Sequence, residues 1–283
     1  MQRSIVLGAL LSSALFLSAC ETPSQEKRDK KVVGVVDESN LNEIMLTVAD
    51  PNQAVNYFQN AVLEDPTRTD LKLNLATSLV RAKRAREATE IYQALDGSGV
   101  LTSQDRVNYA EALVRNNSWK DAKVQLNRVP PTLETFQRYR LEAIIADSEK
   151  KWKKADSFYE TAVGLTTKPA NVLNNWGFSK LTRKDYKGAE ALFLKAITSD
   201  KNLYTAKNNL VLSRASRKEY RLPVIPMTQT ERAELTYTAA LAAVKQGDKV
   251  TGRNLLQKAI ELHPRHFEAA VRSLKGISGQ SGS

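Results

Sequence analysis

Residues 172–202 read VLNNWGFSKLTRKDYKGAEALFLKAITSDKN. Two apolar patterns of helical spacing lie in this stretch, separated by a polar, basic turn. Trp176 and Gly177 place a large side chain beside a small one, and Ala189, Phe193 and Ala196 follow at steps of four and three. A small residue lets two helices cross closely, and the large one fills the adjoining space. Outward from here the pattern repeats. Ala54, Ala88 and Ala122 are 34 apart, Ala155 comes one residue early, and Ala189 follows after another 34. Four residues after each stands Phe58, Tyr92, Leu126, Tyr159 or Phe193. Leu75-Ala76, Tyr109-Ala110 and Leu210-Val211 fall in register with Trp176-Gly177, while Gly252, Leu256, Ala259 and Pro264 repeat the spacing of Ala54, Phe58, Ala61 and Pro66. A period in this range marks a stacked array of two-helix units.

Large-small pairs in one helix, with small-x3-large-x2-Ala in the next, resemble the tetratricopeptide (TPR) repeat. The resemblance covers residues 41–276 and implies an all-α solenoid of six to seven units, one of them degenerate. The helix from about His266 to Lys275 sets Phe267, Ala270, Val271 and Leu274 on one face and suits a C-terminal cap. A Gly/Ser-rich tail without structure is expected over 277–283.

The array is interrupted at 221–228. The sixth unit has its first helix, with Asn209-Leu210-Val211 in register, but the small residue of its second helix should fall at Pro223. Pro223 and Pro226 forbid a continuous helix, and Thr228-x-x-Glu231 reads as a capping box that restarts one. Leu222, Val224, Ile225 and Met227 are apolar. An extended segment that covers an edge of the array is therefore expected, rather than a hinge between two rigid parts.

At the other end, Arg3 precedes an apolar stretch from Ile5 to Leu17, too short for a comfortable membrane span. It closes in Leu17-Ser18-Ala19-Cys20, which resembles a bacterial lipobox. That resemblance implies a signal peptide over 1–19 and a covalent diacylglycerol and acyl lipid on Cys20, with no other cofactor. Two or three acyl chains anchor a protein stably where one does not. Glu21 rather than Asp follows the cysteine, which favours sorting to the outer membrane, facing the periplasm. Cys20 is the only cysteine, so no intramolecular disulfide is possible. Residues 20–40 are polar and charged and read as a flexible tether, with a span of about 25 Å.

The formal charge is +11. Export and the lack of a basic stripe with interleaved aromatics argue against nucleic acid as a partner. Basic residues gather at helix ends, as in Arg81, Lys83, Arg84 and Arg86, or Lys150, Lys151, Lys153 and Lys154. There they complement helix dipoles and solvate turns, or attract anionic lipid headgroups or an acidic partner. Catalytic chemistry has little to work with. His263 and His266 flank Pro264, which puts the first outside the helix, and no phosphate loop or nucleophile motif is present. A non-enzyme without a small-molecule substrate is expected; the oligomeric state is left open.

The clearest functional pattern is an asparagine ladder. Asn74, Asn108, Asn175 and Asn209 each stand two residues before the small residue of a first helix, with Leu141 in the skipped slot. The TPR resemblance implies that first helices line a concave groove, where a carboxamide can pair with the backbone of an extended peptide. Asn is equally a common framework choice in such repeats. Around the ladder, Arg115, Arg140, Asn171, Asn174, Phe178, Asn208 and Tyr237 differ between repeats and are candidates for specificity. Phe178 and Tyr237 fit an inter-helix core as well. Trp119 and Trp152 are expected to seal turns between repeats.

Finally, Pro226-Met227-Thr228-x-x-Glu231-Arg232-Ala233, Leu262-His263-Pro264-Arg265-His266-Phe267 and Asn174-Asn175-Trp176-Gly177 resemble the TadD family, the TPR lipoproteins of tight-adherence (Flp) pilus systems. The likeness is specific to the C-terminal half. It implies a pilotin or scaffold that helps a secretin, or another pilus-assembly protein, to assemble at the outer membrane. A general envelope scaffold, for outer-membrane protein assembly or cell-wall enzyme activation, is the competing expectation.

Overall fold

A computed structural model describes residues 40–279. The signal peptide, Cys20, the tether up to residue 39 and the last four residues lie outside the described part. All regular structure among the described residues is helical. A short helix α1 (residues 40–47) leads into α2 (Pro51–Glu64), α3 (Thr69–Arg81), α4 (Ala85–Gly97), α5 (Ser103–Arg115), α6 (Trp119–Asn127) and α7 (Phe136–Ser148). There follow α8 (Trp152–Gly164), α9 (Ala170–Thr182), α10 (Tyr186–Ser199), α11 (Tyr204–Ala215), α12 (Gln229–Lys245), α13 (Lys249–Leu262) and α14 (Glu268–Gly279).

The small-residue beat does what its chemistry requires. Ala54, Ala88, Ala122, Ala155 and Ala189 are fully buried, and so, to within a few per cent, are Phe58, Tyr92, Leu126, Tyr159 and Phe193. Gly177 shows how tight the crossing is: a Cβ added there would lie 2.6 Å from Phe193 Cε1. Caps set the starts. Asp50, Thr102, Asp185 and Asp248 accept from backbone N–H groups in the first turn of their helices.

Six first (A) helices, α3, α5, α7, α9, α11 and α12, each end at one left-handed residue, where the chain turns towards the side of the second (B) helices. The six residues are Lys83, Asn117, Lys150, Lys184, Lys218 and Gly247, with φ between 58° and 86°. The residue after each returns an N–H to the carbonyl five positions earlier, for example Arg84 N to Leu79 O at 2.8 Å and Asp185 N to Lys180 O at 2.9 Å. This is the helix-ending motif that usually takes glycine. Four of the six positions here hold lysine.

Successive A helices touch: α3 packs on α5, α5 on α7, α7 on α9, α9 on α11, and α11 on α12. No comparable packing joins successive B helices among the described residues. The A helices therefore form the crowded inner surface of a curved array, and the B helices its outer one. The first A helix is only the short α1, held by Arg81, which donates to the carbonyls of Met45 and Ala49 at 2.8 Å each.

The sixth unit keeps α11 and its left-handed turn at Lys218, then loses its B helix. Residues 219–228 run without helix until Thr228 and Glu231 form the expected capping box of α12. Tyr220, Leu222 and Met227 pack on Val211, Leu235 and Ala239, the outward faces of α11 and α12. Pro223 is buried, and Ile225 reaches the cluster around Leu173 and Leu210. The strap thus stands where the missing helix would have stood. Val224 departs from expectation: it points fully into solvent, at 103% exposure. The C-terminal expectation needs a correction too. α14 continues through residues 277–279, where a tail was expected, because Ile277 is buried in the cluster of α12 and α13. Trp152 lies half-buried with the Arg183 guanidinium 5.8 Å above its ring, whereas Trp119 is 37% exposed.

Candidate functional site

The inner surface is built from residues on the A helices that point away from the B helices. Polar side chains link one A helix to the next along it. Asn108 Oδ1 accepts from Gln137 Nε2 at 3.1 Å, and Glu111 pairs with Arg140, joining α5 to α7. Asn209 Nδ2 donates to Asn174 Oδ1 at 3.0 Å, joining α9 to α11 in a buried setting. Thr238 Oγ1 donates to Asn208 Oδ1 at 2.8 Å across α11 and α12, and the Tyr237 hydroxyl meets Ser273 Oγ of α14 at 3.1 Å.

The sequence candidates therefore divide. Asn108, Arg140, Asn174, Asn208, Asn209 and Tyr237 bridge neighbouring helices, and Arg115 pairs with Glu111 on its own helix at 2.8 Å. Asn74, Asn171 and Asn175 form no side-chain hydrogen bond among the described residues, and Asn171 is exposed. Two ladder members thus carry a framework duty: a buried carboxamide with a partner meets its own hydrogen-bonding need. Phe178 is 52% exposed, on the groove side rather than in the core. Tyr237 is half-buried, with its ring centroid 5.2 Å from that of Phe267.

From α7 onward, one residue after the small A-helix residue stands an apolar series, Ile144, Phe178, Leu212 and Leu241, where α3 and α5 have Thr77 and Glu111. Leu212 and Leu241, the latter 40% exposed, line a cleft of about 650 Å³ between α11 and α12. Asn208, Tyr237, Thr238 and Lys245 share its wall, which holds no carboxylate. An apolar row rimmed by amide and hydroxyl groups suits an extended chain with apolar side chains. Sequence reading singled out Phe178, Asn208 and Tyr237 but not Leu212, Leu241 or Lys245. The offset of one residue from the small beat would have found the two leucines.

Ion pairs stiffen the same junctions. Lys207, only 2% exposed, donates to both carboxylate oxygens of Glu231 at 2.8 and 2.9 Å. Burial pushes the Glu231 carboxyl up, but the Lys207 ammonium and the Thr228 N–H outweigh it and hold it below the usual range. Asp96 behaves similarly. Against its burial, Arg106, Gln125 and Arg128 bring its pKa down to about 2. Asp156 accepts from Trp176 Nε1 at 2.6 Å and from Arg183 at 2.5 Å, which lowers it despite burial. Asp147 is the exception. Desolvation raises its carboxyl although Ser179 and the Tyr159 hydroxyl donate to it at 2.7 and 3.0 Å. No cluster among the described residues has the His, Cys, Asp or Glu set for a metal ion.

Stacked two-helix units, small-large crossings and an inner A-helix surface define a TPR-type helical solenoid. Residues 46–99 match the tetratricopeptide repeat family model. Solved structures share the fold at low identity. A TPR protein from Parabacteroides merdae is 14% identical with a TM-score of 0.53, over 89% of this chain and 98% of that one. A chain of the APC/C hetero-tetramer Cut9-Hcn1 is 14% identical with a TM-score of 0.58 over 81% of this chain. The human IFIT1 dimer with PPP-AAAA is 12% identical with a TM-score of 0.59 over 82% of this chain. This chain spans 46% of the matched chain of the Cut9-Hcn1 complex and 60% of the IFIT1 chain. No curated protein matches in sequence. Proteins built of TPR units are in general non-catalytic scaffolds, and no enzyme family is indicated.

Proposed function

We propose that this chain is a periplasm-facing TPR lipoprotein of the outer membrane, a non-catalytic scaffold whose inner surface holds an extended segment of a partner protein. The partner proposed is the secretin, or another assembly component, of a tight-adherence pilus. One observation carries the binding half of this reading: the half-exposed Phe178, followed along the inner surface by Leu212 and Leu241 in the cleft of α11 and α12. Apolar side chains left open beside amides and hydroxyls favour an extended peptide over a small polar ligand. The anchor rests on Leu17-Ser18-Ala19-Cys20, and the choice of partner on the sequence likeness of the C-terminal half.

A photo-reactive side chain placed at position 178 in living cells tests the groove and its occupant together. Cross-links to the secretin are expected. Cross-links confined to outer-membrane insertion factors or cell-wall enzymes would instead mean a general envelope scaffold, and a lack of any protein cross-link would refute the groove. Cys20→Ser is expected to abolish secretin multimers; normal multimers in that variant would refute the pilotin role.

A further inference from the structure

The six left-handed turns lie along one edge of the solenoid, and that edge holds the positive charge of the molecule. Seven-residue windows from two before to four after each left-handed residue (81–87, 115–121, 148–154, 182–188, 216–222 and 245–251) contain 18 Lys and Arg against 6 Asp and Glu. Their surplus of +12 exceeds the +11 of the entire chain. The opposite edge carries the returns from B to A helices. Windows of the same length there (64–70, 97–103, 128–134, 164–170, 199–205 and 262–268) contain 5 basic and 6 acidic residues.

Contacts join the six turns into one strip. Lys83 and Arg84 line a shallow recess with Arg115 and Asn116 of the next turn. Lys123 pairs with Glu149, Arg183 stacks over Trp152, Arg217 pairs with Glu190, and the Tyr220 hydroxyl donates to Gln246 at 3.1 Å. The acids of the strip are largely taken up in this way: Glu87 by Arg84, Glu149 by Lys123 and Lys151, Glu219 by Arg217. Lys83, Lys150, Lys184 and Lys218 are exposed, and their side chains form no hydrogen bond or ion pair among the described residues.

These four lysines are the left-handed residues themselves. A side chain with a Cβ is strained there, and glycine, as at Gly247, is the unstrained choice. The helix dipole favours a cation near these ends, but other basic residues of each turn, such as Arg81, Lys151, Arg183 and Arg217, already supply one, so it does not by itself call for lysine at the strained position. Strain retained at a regular interval points to a use for the group that causes it.

We propose that this edge is a docking surface for anionic lipid headgroups. Lysine presents a compact, non-directional charge, which suits a fluid array of phosphates better than the planar recognition typical of arginine. Successive inner helices pack about 10 Å apart, slightly more than the Debye length of about 8 Å at physiological salt. The lysines thus repel one another weakly in solution, yet each adds its own attraction to a charged surface. Trp119, exposed beside the Asn117 turn, supplies the amphipathic ring that settles at a membrane interface. Trp152, Tyr186 and Tyr220, the other aromatic residues of the strip, are half-buried, Trp152 beneath Arg183 and Tyr220 tied to Gln246. The strip thus lacks the row of open rings on which a nucleic-acid strand would stack its bases. The acyl anchor proposed at Cys20 is not required for this inference.

The test is co-sedimentation with vesicles of phosphatidylcholine and phosphatidylglycerol at 3:1, against pure phosphatidylcholine. The full chain carries Cys20→Ser in every sample, so no acyl chain contributes. Binding to the anionic vesicles that weakens with added salt is expected. The combined Lys83→Gly, Lys150→Gly, Lys184→Gly and Lys218→Gly variant should bind at least about a hundredfold more weakly, at about fivefold per lysine. Its thermal midpoint should not fall, since glycine relieves the strained turns. Lys168→Gln, Lys195→Gln, Lys201→Gln and Arg265→Gln together make the same change of charge away from the strip and should keep the affinity within about threefold. Unchanged binding by the glycine variant, an equal loss in the glutamine variant, or equal binding to neutral vesicles would overturn the proposal. So would tighter binding to a poly-glutamate peptide or a single-stranded oligonucleotide than to the anionic vesicles.

Discussion

Replacing Glu231 by Gln leaves the capping box of α12 in place, because the amide oxygen still accepts from the Thr228 N–H. What it removes is the counter-charge of Lys207. That ammonium is almost wholly enclosed between α11 and α12, and the Glu231 side chain is 18% exposed. Stripping one partner from a buried pair costs about 3–5 kcal/mol, which the partial exposure of Glu231 reduces to about 2–3 kcal/mol. Stability in such an array is a sum over neighbouring interfaces, so the loss falls on the block downstream of the junction, α12 to α14. The three tryptophans, Trp119, Trp152 and Trp176, all precede that junction. Urea unfolding followed by circular dichroism at the helix band should therefore begin about 1 M earlier in Glu231→Gln, while tryptophan fluorescence keeps its midpoint. Adding Lys207→Met, which replaces the stranded ammonium by an apolar chain of similar length, should recover the loss to within about 1 kcal/mol. If both probes shift together, or the single variant costs under about 0.5 kcal/mol, the junction is not held by this pair.

Asp96 is depressed to about 2, so its stabilisation is complete above the ordinary carboxylate value of 3.8 and fades as pH falls towards 2; thermal melts of Asp96→Asn should show a shallower decline across that interval than the parent. Asp147 works in the opposite sense. Its raised carboxyl favours the protonated form, so the parent loses stability as pH rises through its folded pKa, and Asp147→Asn should melt higher at pH 7 with the gap closing in acid. Gly177→Ala forces a methyl against the fully buried ring of Phe193; a loss of about 1–3 kcal/mol in urea titrations is expected, and no loss would mean that the helices can part freely there.

The solenoid was legible because its signals are local and repeat: Ala189 with Phe193, Trp176 with Gly177, and the capping box after Pro226 each fix a crossing or a start within a few residues. The strap was legible through the prolines, but not the outward turn of Val224, which depends on which faces of α11 and α12 were left uncovered. At the inner surface the limit is range. Asn209 and Asn174 are 35 residues apart, and no spacing rule tells a paired carboxamide from one that waits for a ligand. The polarity of the two edges was hidden for a similar reason. Lysines seen as scattered helix ends become a strip only once every A-to-B turn is known to face the same way.

A helix packs on A helix, whereas B helices are joined, among the described residues, only by side-chain links such as Gln125 to Asp96 at 2.9 Å, so the array is more compliant in one direction than in the other. Widening the groove stretches a few side-chain bridges such as Asn209 to Asn174, each worth about 1 kcal/mol, and lets the outer helices close ranks. Narrowing it presses together A helices that are already in contact, where a close-packed interior resists compression. The groove therefore has a hard minimum width. An incoming chain can spread it, but nothing acting from outside can clamp it shut, and a held segment leaves by the same inexpensive opening through which it entered.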